Sequence, residues 1–175
     1  MNFSLTTSTT QALINRQTIT EVLMLNDLSR NFGLSLTLAQ VEDLVETRTI
    51  ALSNHGRIEL GTGIMGKLIQ EFCDSQYLNT SNYAESLNNL LEIFYYLKAE
   101  SREVMMADGL ISDDNIIADM KKAFETICQG SVELLAEREG IKIARSFTHD
   151  YEPDFDKDHN HEGSYFDDWE NEWEQ

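Results

Sequence analysis

The chain has 175 residues, with 31 acidic and 13 basic side chains, for a formal net charge of −18. A field of that sign repels nucleic-acid phosphates and anionic membrane surfaces and attracts cations and basic proteins, so neither nucleic acid nor membrane is expected as a partner. No stretch approaches the roughly 20 apolar residues that cross a bilayer, and the opening MNFSLTTSTTQ lacks the basic-then-apolar pattern of a signal peptide; the expectation is one soluble, cytoplasmic domain.

The first dozen residues, rich in Thr and Ser, are expected to fray. Proline occurs once, at Pro153, so everything before it is open to long helices. Ile19, Val22, Leu23, Leu28 and Phe32 form one stripe at helical spacing, ended by Gly33, with Leu25 off it. Thr37, with Gln40 three residues later, is a capping box for a second stripe of Leu38, Val41, Leu44, Val45 and Leu52, stopped by Gly56. Ile64, Leu68, Ile69 and Phe72 give a shorter third.

The segment TSNYAES supplies caps for a fourth and longer helix, with Ala84, Leu87, Leu90, Leu91, Phe94 and Leu97 on one face and Tyr95 and Tyr96 widening it. Ser112 with Asp113 and Asp114 is a good helix start, because a hydroxyl cap and two acids meet the positive end of the dipole. Ile116, Met120, Ala123, Phe124 and Ile127 come next on one face, and Ser131 restarts a short helix through Val132, Leu134 and Leu135. Residues 57–60 and 141–144 alternate and are the two short extended pieces. The predicted fold is an all-α bundle of about five to six helices over residues 1–147, with an acidic aromatic tail at 148–175.

From Thr148 onward there are 11 acids and one base, Lys157, so the tail carries −10 of the −18. It has no aliphatic residue for a core of its own. It does hold both tryptophans, and Phe166, Trp169 and Trp173 are spaced three and four apart, on one face of a short helix whose other face is acidic. That pattern reads as a docking element for the protein's own body or for a partner.

Three constellations bear on chemistry. Gly61, Gly63, Gly66 and Lys67 spell both GxGxxG and GxxxxGK, and a glycine loop before a helix lets backbone amides approach a phosphate. Against phosphate binding stand the four-residue strand before it, Leu68 where a metal-binding hydroxyl belongs, and the absence of a second strand ending in an acid; a structural loop is the favoured reading. His159 and His161 with Asp156 and Asp158 offer donors suited to a transition metal, but histidines two apart in an acidic tail have no preset geometry. His55 precedes Gly56 at a helix end, where a dipole contact or simple exposure is expected. Cys73 and Cys128 follow Phe72 and Ile127 in helical patterns and read as buried free thiols in a reducing compartment. Phe94, Tyr95 and Tyr96, with Phe72, Tyr77 and Tyr83, read as core, and no cofactor is expected.

The strings NDLSRNFGLSLT, GRIELGTGI, FCDSQYLNTSNYAESL, IFYYLKAE and GSVELL resemble a bacterial family catalogued only as a domain of unknown function. The likeness spans residues 20–140, implies an all-helical cytosolic protein, and brings no activity or ligand with it. The reading that results is a non-enzymatic helical interaction or regulatory protein, whose partner is another protein or a second copy of itself. The alternatives are small-ligand or phosphate binding at Gly61 to Lys67, and metal handling by the tail histidines.

Overall fold

The computed structural model describes residues 3–55, 57–108 and 112–141. They form α1 (Phe3–Met24), the single turn α2 (Asn26–Ser29) running into a 3-10 turn (Arg30–Phe32), α3 (Leu38–Asn54), α4 (Gly63–Phe72), α5 (Tyr83–Asp108), α6 (Asp113–Thr126) and α7 (Val132–Arg138). Six of these helices have seven or more residues, and no strand occurs among the described residues. Of the two predicted extended pieces, residues 57–60 are unpaired chain, while 142–144 of the second lie outside the described residues and Ile141 packs on the core.

The centre is α5. Leu87, Leu90, Leu91, Ile93, Phe94 and Tyr95 are all 2% exposed or less, and Asn88 and Asn89 are buried as well, so other helices enclose this stretch on most sides. α3 packs along it on one side with α1 behind, while α4, α6 and α7 close the other. Phe124 of α6 meets Phe72 edge to face at 5.6 Å and Tyr77 at 6.1 Å, tying α4, α6 and the loop between α4 and α5 into the same core. One buried polar residue of α5, Asn88, bonds across elements, donating to Asp43 of α3 at 2.9 Å.

Caps set the boundaries. The Thr37 hydroxyl accepts from the Gln40 amide while the Gln40 side chain accepts from the Thr37 amide, completing the box. Ser112 and Ser131 accept from the third residue of α6 and α7. Between α2 and α3, Asn26 is buried and pairs with both backbone groups of Leu36: Oδ1 accepts its N–H at 2.7 Å and Nδ2 donates to its carbonyl at 2.9 Å. That side chain substitutes for a neighbouring strand and holds Leu34 and Leu36 in the core.

The structure departs from the sequence pattern where helices end. The first stripe is one helix only to Met24. There the Leu25 amide reaches back three residues to the Val22 carbonyl, tightening the turn and rotating the residues after it. Leu25 therefore packs on the core, while Leu28 and Phe32 are 38% and 49% exposed. Leu38, at the first position of α3, and Ile127, just past α6, are also outward, and Cys128 takes the inward place after the α6 turn. α1 begins at Phe3, within the stretch expected to fray; extending a formed helix adds a bond per residue without a new nucleus. Both cysteines are buried and free.

Candidate functional site

The inward face of α3 runs Val41, Leu44, Val45 and then Arg48, a guanidinium whose side chain is 5% exposed. An ion in that setting loses several kcal/mol of hydration, by order of magnitude, unless it is paired and bonded. Arg48 Nη1 donates to the Gly61 carbonyl at 2.7 Å, and its Nε stands 3.6 Å from Glu59 Oε2. The Thr18 hydroxyl of α1 reaches the same Gly61 carbonyl at 3.4 Å.

Glu59 is the hub. Its Oε2 accepts from the Tyr95 hydroxyl at 2.8 Å and from the Ile64 amide, in the first turn of α4, at 3.3 Å. Its Oε1 faces Arg57 Nε at 3.2 Å, close enough for an ion pair but without hydrogen-bond alignment. Arg57 continues to Asp113 Oδ2 at 3.1 Å, and Lys98 Nζ lies 2.7 Å from Asp113 Oδ1. One network thereby joins α1, α3, α4, α5 and α6 through the connection between α3 and α4. Burial drives the Tyr95 hydroxyl far above its ordinary pKa, and the Glu59 charge adds to the effect. Burial alone would raise the Asp113 carboxyl, but Lys98 and Arg57 outweigh it and hold that carboxyl below its ordinary value.

The network sets the direction of residues 57–60. Extended backbone alternates its side chains, so with Arg57 and Glu59 turned inward, Ile58 and Leu60 point out, 88% and 77% exposed. Beside them opens a cleft of about 300 Å³ whose walls include Ile14 and Thr18 of α1 and Val45, Arg48 and Leu52 of α3.

Gly61 is the turn between this segment and α4, and Gly63 and Gly66 lie in the first turns of the helix. Gly63 has φ +50°, and a Cβ there would lie 2.5 Å from Glu59 Oε2; a Cβ on Gly66 would run into the Thr62 side chain. These two glycines allow Glu59 and Thr62 to sit against α4. The helix N-terminus, the place where a phosphate would bind, already carries the Glu59 carboxylate. Lys67 points the other way, to Asp114 at 2.6 Å. His55 is the exposed C-cap of α3.

A second concavity, of about 540 Å³, lies where α5, α6 and the end of α7 meet. Leu97, Ile116, Met120 and Ala123 make its floor, and Ile127, Lys122, Asp119, Arg138 and Glu139 its edge. Among the described residues no group of three or more His, Cys, Asp or Glu is placed to hold a metal ion, and no helix is long and apolar enough to cross a membrane. The sequence-predicted donors Asp156, Asp158, His159 and His161, and the docking residues Phe166, Trp169 and Trp173, lie outside the described residues.

The Arg48–Glu59 pair escaped the reading of the sequence, although one signal was present. Arg48 falls on the apolar stripe at the spacing of Val41, Leu44, Val45 and Leu52, and a cation on a buried stripe demands a buried anion.

Fold and site together define an all-helical protein built around an internal ionic hub. The chain belongs to the family described as a family of unknown function (DUF6323), whose model matches residues 21–153. No curated protein and no solved structure matches it.

Proposed function

We propose that the chain is a non-enzymatic, cytoplasmic interaction or regulatory protein that binds another protein or a second copy of itself. The observation that supports this reading is the presentation of Ile58 and Leu60. A buried carboxylate, two arginines and a tyrosine hydroxyl are engaged in holding the segment between them, and the outcome is two large aliphatic side chains in solvent beside an apolar-walled cleft. Isolated exposed aliphatics are ordinary on a protein surface; two on a pinned extended segment at a cleft mouth offer a partner a preorganised apolar contact, with little ordering cost on binding. The acidic tail is the second element of the reading, a charged docking segment that favours basic surfaces.

The competing reading, anion binding at Gly61, Gly63, Gly66 and Lys67, requires Glu59 to release the Ile64 amide first. The two readings separate in one experiment. Affinity purification from the native cell compares the wild type, the Ile58→Ser/Leu60→Ser double variant and a chain ending at residue 147. The proposal expects a partner that the wild type retains and the double variant loses, at an unchanged melting temperature. A partner set identical in the wild type and the double variant contradicts it.

A further inference from the structure

The groove between α5, α6 and α7 has the chemistry of a receptor for an acidic aromatic segment. Its floor is aliphatic, from Leu97, Ile116, Met120 and Ala123, and Ile127 stands at its edge 60% exposed. Its edge also carries two cations: Lys122, with no ion-pair partner among the described residues, and Arg138, 3.5 Å from its own neighbour Glu139. Asp119 and Glu139 lie on the same edge, so the rim is locally balanced on a molecule that is otherwise strongly acidic. Three arginines elsewhere in the body are already paired: Arg30 with Asp27, Arg48 with Glu59, and Arg57 with Glu59 and Asp113.

The described chain ends at Ile141, two residues beyond Glu139 and therefore at the lip of this groove. Further along the sequence lies the segment with Phe166, Trp169 and Trp173 at spacings of three and four and Asp167, Asp168, Glu170, Glu172 and Glu174 between and around them. Ile141 and Phe166 are 25 residues apart, and a chain of that length can reach at most about 80–90 Å. The 14 residues of α6 measure roughly 21 Å, so the aromatic segment reaches any part of the groove. Because the segment belongs to the same chain, its docking is an intramolecular event, favoured without any new contact being needed. Each indole offers about 150–250 Å² for burial, more than any aliphatic residue.

We infer that the Phe166–Trp169–Trp173 face of this chain's own tail docks in the α5–α6–α7 groove, with tail carboxylates against Lys122 and Arg138. The inference rests on the reading of the tail as a docking element and names its receptor. Occupied in this way, the groove withholds the tail from partners until it is displaced, which makes the contact autoinhibitory.

Both tryptophans lie in the tail, so tryptophan fluorescence of the full chain reports on this segment alone, and the groove variants locate the contact. Emission and acrylamide quenching are measured over a wide range of protein concentration for the wild type, Ile127→Asp, and Lys122→Glu/Arg138→Glu. Residue 127 and both basic positions are exposed, and circular dichroism confirms that each variant keeps its helices. The expected result is blue-shifted, quencher-protected emission at every concentration in the wild type. Ile127→Asp should shift it to the red and raise the quenching constant severalfold, and the charge reversal should act in the same direction, most strongly at low salt. Three results overturn the inference: exposed indoles in the isolated wild type, protection that survives both variants, or protection that grows with concentration. The last means a second copy is the occupant. Each of these leaves the Ile58 and Leu60 reading intact, because its purification experiment does not involve the groove.

Discussion

The Tyr95 hydroxyl donates to Glu59 Oε2 at 2.8 Å across the junction of α4 and α5, and the same oxygen takes the Ile64 amide. Two donors from different helices thus converge on one carboxylate that two arginines flank. Removing the hydroxyl leaves a buried carboxylate short of one bond. Tyr95→Phe is expected to cost about 1–3 kcal/mol, read as a lower urea midpoint with an unchanged slope. Arg48→Leu leaves Glu59 without its buried cation and should cost more, about 3–5 kcal/mol.

Alkaline pH should weaken the fold through its tyrosines. Burial pushes Tyr83 from 10.0 up to about 12, and Tyr95 rises in the same direction from burial and from Glu59. In both cases the folded state holds a proton that the unfolded state gives up. The stability they contribute is fully present below pH 10 and is lost as pH rises from there through the folded value. Melting temperature should therefore fall steeply between pH 10 and 12, and less steeply in Tyr95→Phe. A flat profile across that window contradicts the burial of both hydroxyls.

Asp113 acts at the acid end. Its carboxyl is held below the ordinary 3.8 because Lys98 and Arg57 outweigh burial. Its contribution is present above that ordinary value and disappears as pH falls through the lower folded one. Asp113→Asn should flatten the acid limb of the stability profile, measured as melting temperature against pH.

Lys67 and Asp114 form an ion pair with side chains 44% and 75% exposed, and exposed pairs contribute about 1 kcal/mol at most. Lys67→Ala should accordingly move the melting temperature little, and nucleotides should not raise it in the wild type. A saturable nucleotide shift that Lys67→Ala abolishes would restore the phosphate reading of the glycine loop.

The stripes and caps of the helical body all precede Phe147. A chain ending at residue 147 should keep a single cooperative unfolding transition. A molten or aggregated product would place the tail within the core.

Much of this fold is legible in the sequence because caps and apolar spacing are local. The box at Thr37 and Gln40, the caps at Ser112 and Ser131, and the face from Leu87 to Phe94 all form as the spacing predicts. The features that escape are long-range. Leu34 and Leu36 are buried by Asn26, ten residues before Leu36, through bonds that no periodicity announces. The outward turn of Leu28 and Phe32 accompanies tightened three-residue bonds at Leu25 and Leu28 and the 3-10 turn Arg30–Phe32. GxGxxG is ambiguous for the same reason. Its glycines suit a bound phosphate and a folded-back Glu59 equally well, and only the fold brings Glu59, Arg48 and Tyr95 to one point.

Display of Ile58 and Leu60 for a protein partner is tested most directly by in-cell photocrosslinking from residue 58. A photoreactive phenylalanine analogue replaces Ile58 in one strain and Ile50 in another, since Ile50 is 53% exposed on α3, outside the cleft-mouth segment. Such display predicts a discrete protein adduct from position 58 that position 50 does not give. No adduct from position 58, or the same pattern from both positions, would contradict it.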